Sequence, residues 1–325
     1  MGILHSVLVT DPRYFSKLME DLLREVKAEL RLTPCRTEEE VIAQAFSAEA
    51  IITTSAAFSK RVLESLKRCK FIIRCGVGID NVDVNAATRQ GILIAYLPDW
   101  YVEDVSNHIV ALLLNSSRKI SFIDQLVRSG KYRFEKIQPI RQLRNRVVGI
   151  VGFGKIGRCL LPKLNSFGFR IVVYDPYLST LPEEVEKGDF FSLVNQSDFI
   201  ILNCPLTEEN RGMIGEQEFR WMKPGVYIIN TARGGLIDEN ALMKALREKK
   251  VAGAALDAIS QEPVTSDHPL LQFDNVSITP HIGWYSEDSL EEVRIKAAED
   301  VVKVLKGELP SHPVNPEAWS LVDGG

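Results

Sequence analysis

Four ionisable residues follow short apolar runs in the C-terminal half of the sequence. Arg233 follows VYIIN, Asp257 and Glu262 follow GAAL, and His281 follows VSIT, each within a few positions. If these runs are parallel strands, the four side chains lie at the carboxyl edge of one sheet. Open α/β sheets bind their ligands at that edge.

These side chains suit the reduction of a carbonyl group. An imidazole titrates near neutral pH and can pass a proton to a carbonyl oxygen, which is the role we expect of His281. A carboxylate at hydrogen-bond distance keeps an imidazole protonated and fixes its tautomer, and Glu262 is the candidate. The planar guanidinium of Arg233 can hold a substrate carboxylate and polarise the adjacent carbonyl. We therefore predict Arg233, Glu262 and His281 as the catalytic residues.

A glycine-rich segment, VVGIVGFGKIGRCL, is typical of a loop that binds the pyrophosphate of a dinucleotide. Gly152, Gly154 and Gly157 have Gly-x-Gly-x-x-Gly spacing directly after an apolar run and directly before a helical pattern. The first glycine permits the tight turn, the second lets the backbone approach the phosphates, and the third lets the helix pack close to the strand. The amides of Lys155 and Ile156 at the helix N-terminus then face the phosphates.

The next apolar run, RIVVYDPY, brings an acidic residue to the ribose of such a dinucleotide. Asp175 lies 18 residues beyond Gly157 and can accept hydrogen bonds from both ribose hydroxyls of the adenosine. A carboxylate there repels a 2′-phosphate, so we expect NAD in preference to NADP. A nicotinamide beside the ionisable residues can pass hydride to a carbonyl carbon. The alternative reading of Asp175 is a turn former before Pro176.

The elements that must position these residues form two arrays of alternating strands and helices. Apolar runs from residue 3 to about 95 alternate with amphipathic segments, which predicts a parallel sheet with helices on its faces. A long helical pattern follows Pro98. Six further apolar runs between 147 and 279 predict a complete doubly wound unit. A charged amphipathic helix from Glu287 to Gly307 lies beyond that unit and can return to the first array.

Composition narrows the class of protein. The chain has 325 residues, of which 45% are hydrophobic and 25% charged, and this length favours two domains. A formal net charge of −4 and scattered Lys and Arg residues argue against a nucleic-acid partner. No apolar run approaches the ~20 residues that span a bilayer, and the N-terminus does not resemble a signal peptide, so we expect no membrane partner and a cytoplasmic location.

Cysteine spacing gives no sign of a disulfide framework or a metal site. The five cysteines are odd in number, show no C-x-x-C spacing, and are expected to be reduced thiols. We see no cluster of His, Cys or carboxylate residues at ligand spacing, and so predict no metal. His108 lies on the long helical pattern, where interdomain packing is the expected role.

Along nearly its whole length the sequence resembles the D-isomer-specific 2-hydroxyacid dehydrogenase family. Seven motifs stand in that family's order and spacing: GVGIDNVDVNAA, VVGIVGFGKIGR, YDPY, NCPLTEENRGMI, NTARGGLIDENAL, GAALDAISQEP and ITPHIGWYS. The resemblance implies a Rossmann-type NAD-binding domain at 102–286, inserted into a smaller flavodoxin-like α/β substrate-binding domain formed by 1–101 and 287–325. It places the family's Arg, Glu and His on Arg233, Glu262 and His281.

The same resemblance implies further contacts. It directs Asp257 and the turn of Thr231 and Ala232 toward the nicotinamide riboside, and the loop that carries Cys204, Pro205 and Asn210 toward the adenosine. Gly283 is expected to let the chain turn close to the nicotinamide. The amides of Val77 and Gly78 are expected to bind the substrate carboxylate.

Within the family, the sequence is most similar to the C-terminal binding protein branch and its bacterial relatives. HIGWYS carries that likeness and places Trp284 at the branch's pocket tryptophan, while Arg74 matches an arginine directed at substrate. The sequence departs from these relatives at Asn203, where many have His, and in DAISQEP, so a corepressor role is not carried over. The resemblance also implies a homodimer whose interface includes the helix near 103–118.

We therefore expect an NAD-dependent D-2-hydroxyacid dehydrogenase acting on a small 2-keto or 2-hydroxy acid. An acid with an apolar side chain is favoured because Trp284 would line the pocket, with hydroxypyruvate or glyoxylate as alternatives. Phosphoglycerate is less favoured because the sequence ends at Gly325, without the regulatory C-terminal domain of many phosphoglycerate dehydrogenases. The alternative from another class is an NADH-sensing dimeric interaction protein with little turnover.

Overall fold

The structure is a computed structural model that describes residues 5–132 and 137–319. The chain divides into two compact units, Met1–Trp100 with Ser286–Gly325, and Tyr101–Tyr285. The second unit is thus an insertion into the first, and each junction lies one residue from the position expected from the sequence. Ile3 and Leu4, which belong to the first predicted strand, lie outside the described residues.

The first unit is built on a five-stranded parallel sheet in the order β2-β1-β3-β4-β5. This is the order of flavodoxin-like sheets. Its strands are β1 (His5–Val9), β2 (Ala28–Leu32), β3 (Ala50–Thr53), β4 (Phe71–Arg74) and β5 (Leu93–Tyr96). Its helices are α1 (Lys17–Glu25), α2 (Glu38–Ala45), α3 (Lys60–Ser65), α4 (Val84–Arg89) and, after the insertion, α11 (Glu287–Leu305). As expected for the helix after Glu287, α11 packs on α1 and β4 of this unit.

The second unit is a seven-stranded parallel sheet in the order β12-β11-β10-β9-β6-β7-β8. Its strands are β6 (Val147–Val151), β7 (Arg170–Tyr174), β8 (Glu186–Lys187), β9 (Phe199–Leu202), β10 (Val226–Asn230), β11 (Val251–Leu256) and β12 (Val276–Ile278). Its helices are α5 (Val102–Arg118), α6 (Ile120–Arg128), α7 (Lys155–Asn165), α8 (Phe190–Gln196), α9 (Glu216–Trp221) and α10 (Glu239–Arg247).

This strand order confirms the prediction of a Rossmann-type doubly wound sheet, with β12 added at one edge. The prediction of six strands was wrong by one. The two-residue edge strand β8 consists of Glu186 and Lys187, both exposed, and carries no apolar pattern from which a strand can be predicted.

Side-chain alternation in the central strand explains why helices cover both faces of this sheet. In β6, Val147 and Val151 join a core with α8, α9 and α10, whereas Val148 and Ile150 join a second core with α5 and α7. All five residues of β6 are buried. Burying each such side chain contributes roughly 1.5–3 kcal/mol, so the strand is fixed from both sides.

The winding of the chain reverses between β6 and β9, which are neighbours in the sheet. In doubly wound sheets, ligands bind at the carboxyl edge next to such a reversal. In the part of the chain that the structure describes, no helix is both long and apolar enough to cross a bilayer.

Candidate active site

The glycine-rich loop connects β6 to α7, and its three glycines are fixed by different causes. Gly152 has φ +90°, and a Cβ there would lie 2.7 Å from the carbonyl oxygen of Asn203. A Cβ on Gly157 would lie 3.1 Å from the Phe153 ring and 3.2 Å from the Gly152 oxygen. A Cβ on Gly154 would meet no atom within 4 Å. The positive φ and the close Asn203 backbone therefore require glycine at the first position, the third position is tightly packed, and the second leaves open space in front of the loop.

α7 begins at Lys155, directly after this open glycine. Gly154 is the N-cap and has no side chain to satisfy the first amides of the helix, which include that of Ile156. A helix N-terminus without a side-chain cap presents amide donors and the positive end of its dipole to an anion.

Asp175 lies directly after β7 and contacts the glycine-rich loop. One carboxylate oxygen accepts the amide of Phe153 at 2.9 Å, and the other accepts the amide of Tyr177 at 3.0 Å. The half-buried carboxylate is thus held by two backbone donors next to the loop. Its position fits the ribose role predicted for it, because each oxygen retains acceptor capacity.

The loop after β9 lies against the glycine-rich loop. The side-chain amide of Asn203 donates from Nδ2 to the Gly152 carbonyl oxygen at 3.3 Å. Farther on, Asn210 donates to the Pro205 oxygen at 2.8 Å and accepts the Thr207 amide at 2.7 Å, so its side chain closes the loop.

Burial raises the pKa of the Cys204 thiol, which lies in the same loop, to about 11. The thiol is therefore neutral at pH 7.

The turn after β10 is organised by a residue that the sequence analysis missed. Asn230 is fully buried, accepts the Ala232 amide at 3.0 Å and donates to the Arg233 oxygen at 2.9 Å. Among the described residues, the buried Thr231 hydroxyl oxygen has no hydrogen-bond partner. A polar residue ending the run VYIIN was the available signal for Asn230. The orphaned hydroxyl beside it fits a site that a bound ligand completes.

Arg233 lies at the carboxyl edge of β10. Its Nη1 donates to the Ala232 oxygen at 2.8 Å, and the side chain is half-buried. The next residue, Gly234, fits only as glycine because a Cβ there would lie 1.9 Å from the Ile259 carbonyl carbon. Arg233 therefore lies in a turn whose backbone packs closely against the loop after β11.

His281 and Glu262 form a hydrogen-bonded pair, as predicted from residue type. The distance from His281 Nδ1 to Glu262 Oε2 is 2.8 Å, and each side chain is 38% exposed. Glu262 Oε1 also accepts the Ile259 amide at 3.2 Å. Because a carboxylate only accepts, the proton of this pair lies on Nδ1, and Nε2 is left for a substrate.

The surroundings keep Glu262 ionised. Burial raises the pKa of this carboxyl, but the hydrogen bond and charge of His281, together with the Ile259 amide, outweigh burial and hold the pKa below its usual range. The carboxylate is therefore available to an imidazolium throughout the neutral range.

The backbone of His281 is in the left-handed region, with φ +52°. Histidine is among the few non-glycine residues enriched there, and such positions are held by their surroundings. The Trp284 indole donates to the His281 oxygen at 2.9 Å. The half-buried Trp284 ring also packs on the core that contains α5 and α7. This tryptophan, predicted to line the substrate pocket, braces the turn that carries the histidine.

Asp257 is a buried carboxylate behind the same turn. Its Oδ1 accepts the Thr279 hydroxyl at 2.5 Å and the Ile282 amide at 2.9 Å, while Oδ2 accepts the Gly283 amide at 2.8 Å. Burial raises the pKa of Asp257, but hydrogen bonds from His108, Thr279 and the two amides outweigh burial and lower the pKa below its usual value.

Gly283 and His108 both lie against this carboxylate. A Cβ on Gly283 would lie 2.9 Å from Asp257 Oδ2 and 3.2 Å from His108 Cδ2, so close packing accounts for the glycine. His108 Nε2 lies 3.1 Å from Thr279 Oγ1 and 3.5 Å from Asp257 Oδ1. These polar partners of His108 belong to its own unit, and a role in interdomain packing stays a prediction.

The predicted substrate residues of the other unit lie at the end of β4 and in the loop after it. Arg74 ends that strand, and its Nε donates to the Thr54 oxygen at 3.2 Å. Val77 is 43% exposed, and Gly78 is half-buried in the same loop. The Asn81 amide donates to the same Thr54 oxygen at 3.3 Å.

In residues 5–132 and 137–319, no group of three His, Cys, Asp or Glu side chains is placed to hold a metal ion. The residues around the glycine-rich loop do fit a dinucleotide. Open space at Gly154, the carboxylate of Asp175 and the orphaned hydroxyl of Thr231 lie at the carboxyl ends of β6, β7 and β10.

Comparisons with known proteins identify the inserted unit. Residues 110–283 match the sequence profile of the D-isomer specific 2-hydroxyacid dehydrogenase NAD-binding domain, which confirms the prediction of NAD as the cofactor. A glyoxylate reductase of Thermococcus litoralis is 36% identical over 277 residues, which cover 82% of this chain and 83% of the relative.

A D-3-phosphoglycerate dehydrogenase of Archaeoglobus fulgidus is 36% identical over 313 residues, which cover 95% of this chain. The match spans only 59% of that relative's length. The structure of D-lactate dehydrogenase from Aquifex aeolicus, complexed with NAD and lactic acid, superposes with a TM-score of 0.83 at 27% identity, covering 95% of this chain and 99% of that one.

Proposed function

This chain belongs to the D-isomer-specific 2-hydroxyacid dehydrogenase family, and we propose that it interconverts a 2-keto acid and the D-2-hydroxy acid with NAD as cofactor. The observation that carries the proposal is the pair of His281 Nδ1 and Glu262 Oε2 at 2.8 Å. This pair is a proton donor with a fixed tautomer, and it lies in the same unit as the glycine-rich loop.

His281 is the general acid and base of the proposed reaction. When bound, NADH supplies the hydride that reduces the carbonyl carbon. His281 Nε2 gives its proton to the carbonyl oxygen during reduction and takes it back during oxidation. Glu262 stabilises the imidazolium and keeps the second proton on Nδ1, so that Nε2 alone faces the reacting oxygen.

Other residues are proposed to bind and orient the substrate and the cofactor. Arg233 is proposed to hold the substrate carboxylate and polarise the neighbouring carbonyl. The amides of Lys155 and Ile156 are proposed to bind the pyrophosphate, and Asp175 the adenosine ribose. Asp257 contributes by holding the backbone that follows His281.

Substrate contacts are also proposed for the unit that carries β4. Arg74 and the amides of Val77 and Gly78 are assigned to the substrate carboxylate. Trp284 is assigned to the substrate side chain, and this favours an acid with an apolar side chain. The two named relatives are a phosphoglycerate dehydrogenase and a glyoxylate reductase, and the named structure is a D-lactate dehydrogenase. Phosphoglycerate, glyoxylate and hydroxypyruvate are therefore the substrates that compete with an apolar acid.

A panel of 2-keto acids tests both the reaction and the substrate. NADH absorbance is followed with pyruvate, 2-ketoisocaproate, glyoxylate, hydroxypyruvate and phosphohydroxypyruvate, and we expect turnover that is fastest on an apolar acid. His281→Ala should lower kcat by at least about a hundredfold while NADH affinity changes less than about twofold. Tight NADH binding with negligible turnover on every acid would instead favour the NADH-sensing interaction protein.

We propose a homodimer. None of the residues of α6 is buried within the described chain, and Ile120 and Val127 are 57% and 48% exposed. Apolar side chains on one helix suit an interface between copies. Light scattering should give a dimer, and the double variant Ile120→Glu with Val127→Glu should give a monomer. Phe46→Glu, at another exposed apolar residue, is the matched control and should leave the dimer intact.

We also propose a reducing compartment such as the cytoplasm. All five cysteines are free, and Cys69 and Cys75 are buried where burial raises the pKa of each thiol to about 12. Thiol titration of protein isolated under alkylating conditions should find all five reduced. Recovery in a membrane or secreted fraction would contradict this location.

A further inference from the structure

His108 connects α5 to the turn that carries His281. Its Nε2 lies 3.1 Å from Thr279 Oγ1 and 3.5 Å from Asp257 Oδ1, and its side chain is 21% exposed. Thr279 directly follows β12, and Asp257 directly follows β11. One helix and two strand ends therefore meet at three polar side chains within a single unit.

Hydrogen-bond capacity fixes the direction of this chain of contacts. The Thr279 hydroxyl has one proton, and its 2.5 Å contact with Asp257 Oδ1 uses that proton because a carboxylate only accepts. The Thr279 oxygen must then accept from His108, which makes Nε2 of His108 a donor. The imidazole donates to the hydroxyl, and the hydroxyl donates to the carboxylate.

The carboxylate at the end of this chain holds the two residues after His281. Asp257 accepts the amide of Ile282 at 2.9 Å and that of Gly283 at 2.8 Å. A Cβ on Gly283 would lie 2.9 Å from the same carboxylate, so the turn packs closely on Asp257. Because His281 has φ +52°, a shift of these amides would redirect its imidazole.

We propose that His108 is a positioning residue that acts through Thr279 and Asp257 to hold the turn of His281, Ile282 and Gly283. The proposal rests on the proposed function for its kinetic consequence, because a misplaced imidazole transfers its proton poorly. Its structural consequence, the order of the turn, is independent of turnover.

Two matched pairs of variants test this role. His108→Gln keeps a donor near Nε2, whereas His108→Met has nearly the same shape without one. Thr279→Ser keeps the hydroxyl, whereas Thr279→Val removes it. We expect kcat to fall about tenfold in the Met and Val variants and to stay within about threefold of wild type in the Gln and Ser variants. KM for the keto acid and Kd for NADH should stay within about twofold.

Hydrogen exchange, followed by NMR, supplies a readout that does not need turnover. The amides of Ile282 and Gly283 should exchange at least about tenfold faster in the Met and Val variants than in wild type, and near the wild-type rate in the Gln and Ser variants. The Gly152 amide, bonded to the Tyr174 oxygen in the same sheet, is the control and should not change.

The outcomes separate this proposal from the proposed function. Faster exchange in the Met and Val variants of a protein inactive on every acid would support positioning and overturn the dehydrogenase proposal. Equal loss of kcat in the Gln and Met variants, or unchanged exchange of both turn amides in the Met variant, would overturn the positioning role.

Discussion

At the scale of single residues, the proposed chemistry depends on the hydrogen bond that His281 Nδ1 donates to Glu262. Glu262→Gln removes the negative charge but keeps the shape, so we expect kcat for reduction to fall about tenfold at pH 7. The pKa of Glu262 is lowered in the folded protein, so the carboxylate's contribution is present above its usual pKa and is lost as pH falls through the lowered value. The ratio of wild-type to variant kcat should therefore hold at neutral pH and narrow only where the pH falls below the usual range of a glutamate carboxyl.

Measuring kcat against pH for the wild type and for Glu262→Gln tests this prediction. A ratio that stays constant down to the acid limit would contradict the assignment of Glu262 as the partner of the imidazole.

A second residue-scale prediction concerns the buried carboxylate behind the turn. The two carboxylate oxygens of Asp257 accept the backbone amides of Ile282 and Gly283. Asp257→Asn replaces one of these oxygens by an NH2 group, which cannot accept a hydrogen bond. Leaving a buried donor unsatisfied costs about 1–3 kcal/mol, and we expect the free energy of unfolding to fall by that amount. Urea unfolding measures it. Asp267→Asn, on an exposed loop of the same unit, is the control and should change stability by less than about 0.5 kcal/mol.

The sequence allowed the pair of Glu262 and His281 to be predicted, but not the hydrogen bonds that join His108, Thr279 and Asp257. Glu262 and His281 each follow an apolar run, so residue type and position at a strand end sufficed. The contact between His108 and Thr279 joins positions 171 residues apart. It depends on how α5 crosses the sheet, and no local pattern encodes that crossing.

At the scale of elements, the loop between β6 and α7 contains glycines with different proposed roles, structural at Gly152 and ligand-binding at Gly154. Gly152→Ala should reduce the free energy of unfolding by about 1–3 kcal/mol or more, because φ is +90° and Cβ would overlap Asn203. Gly154→Ala has φ −75° and open space, so stability should change by less than about 0.5 kcal/mol. Its added methyl group should instead weaken NADH binding about tenfold or more, because it occupies the space in front of the loop.

Urea unfolding and NADH fluorescence titration of the two variants distinguish these effects. Undiminished NADH affinity in Gly154→Ala would contradict the assignment of this face to the pyrophosphate.

Elements with a strong apolar pattern were predictable, and those without one were not. The buried strand β6 and the helix that follows the glycines could be placed from VVGIVGFGKIGRCL. The edge strand β8 could not, because Glu186 and Lys187 are exposed and pair with β7 only through the backbone. Backbone pairing of this kind does not select particular residue types, so the sequence carries no signal for it.

At the scale of the whole molecule, the unit that matches the family's NAD-binding domain is inserted into the other unit. The first unit is interrupted after Trp100 and resumes at Ser286, and the family's NAD-binding profile covers 110–283 within the insertion. The positions of the junctions were implied by the family resemblance, whereas the amphipathic pattern of α11 indicated only that a helix beyond the doubly wound unit can return to the first array. Substrate identity could not be predicted, because the side chains proposed to contact the acid, Trp284 and Arg74, suit several acids by residue type.

This organisation predicts how the cofactor stabilises the protein. Binding to the folded state alone adds about 2.7 kcal/mol at a ligand concentration 100 times Kd, which for a unit of this size raises Tm by about 5–10 °C. NADH should produce this shift in the transition that unfolds the Tyr101–Tyr285 unit. NADPH at equal concentration should shift Tm less, because Asp175 repels a 2′-phosphate, and Asp175→Asn should narrow the difference. Equal shifts with both dinucleotides in wild type would contradict the role of Asp175, since its carboxylate is the group proposed to distinguish them.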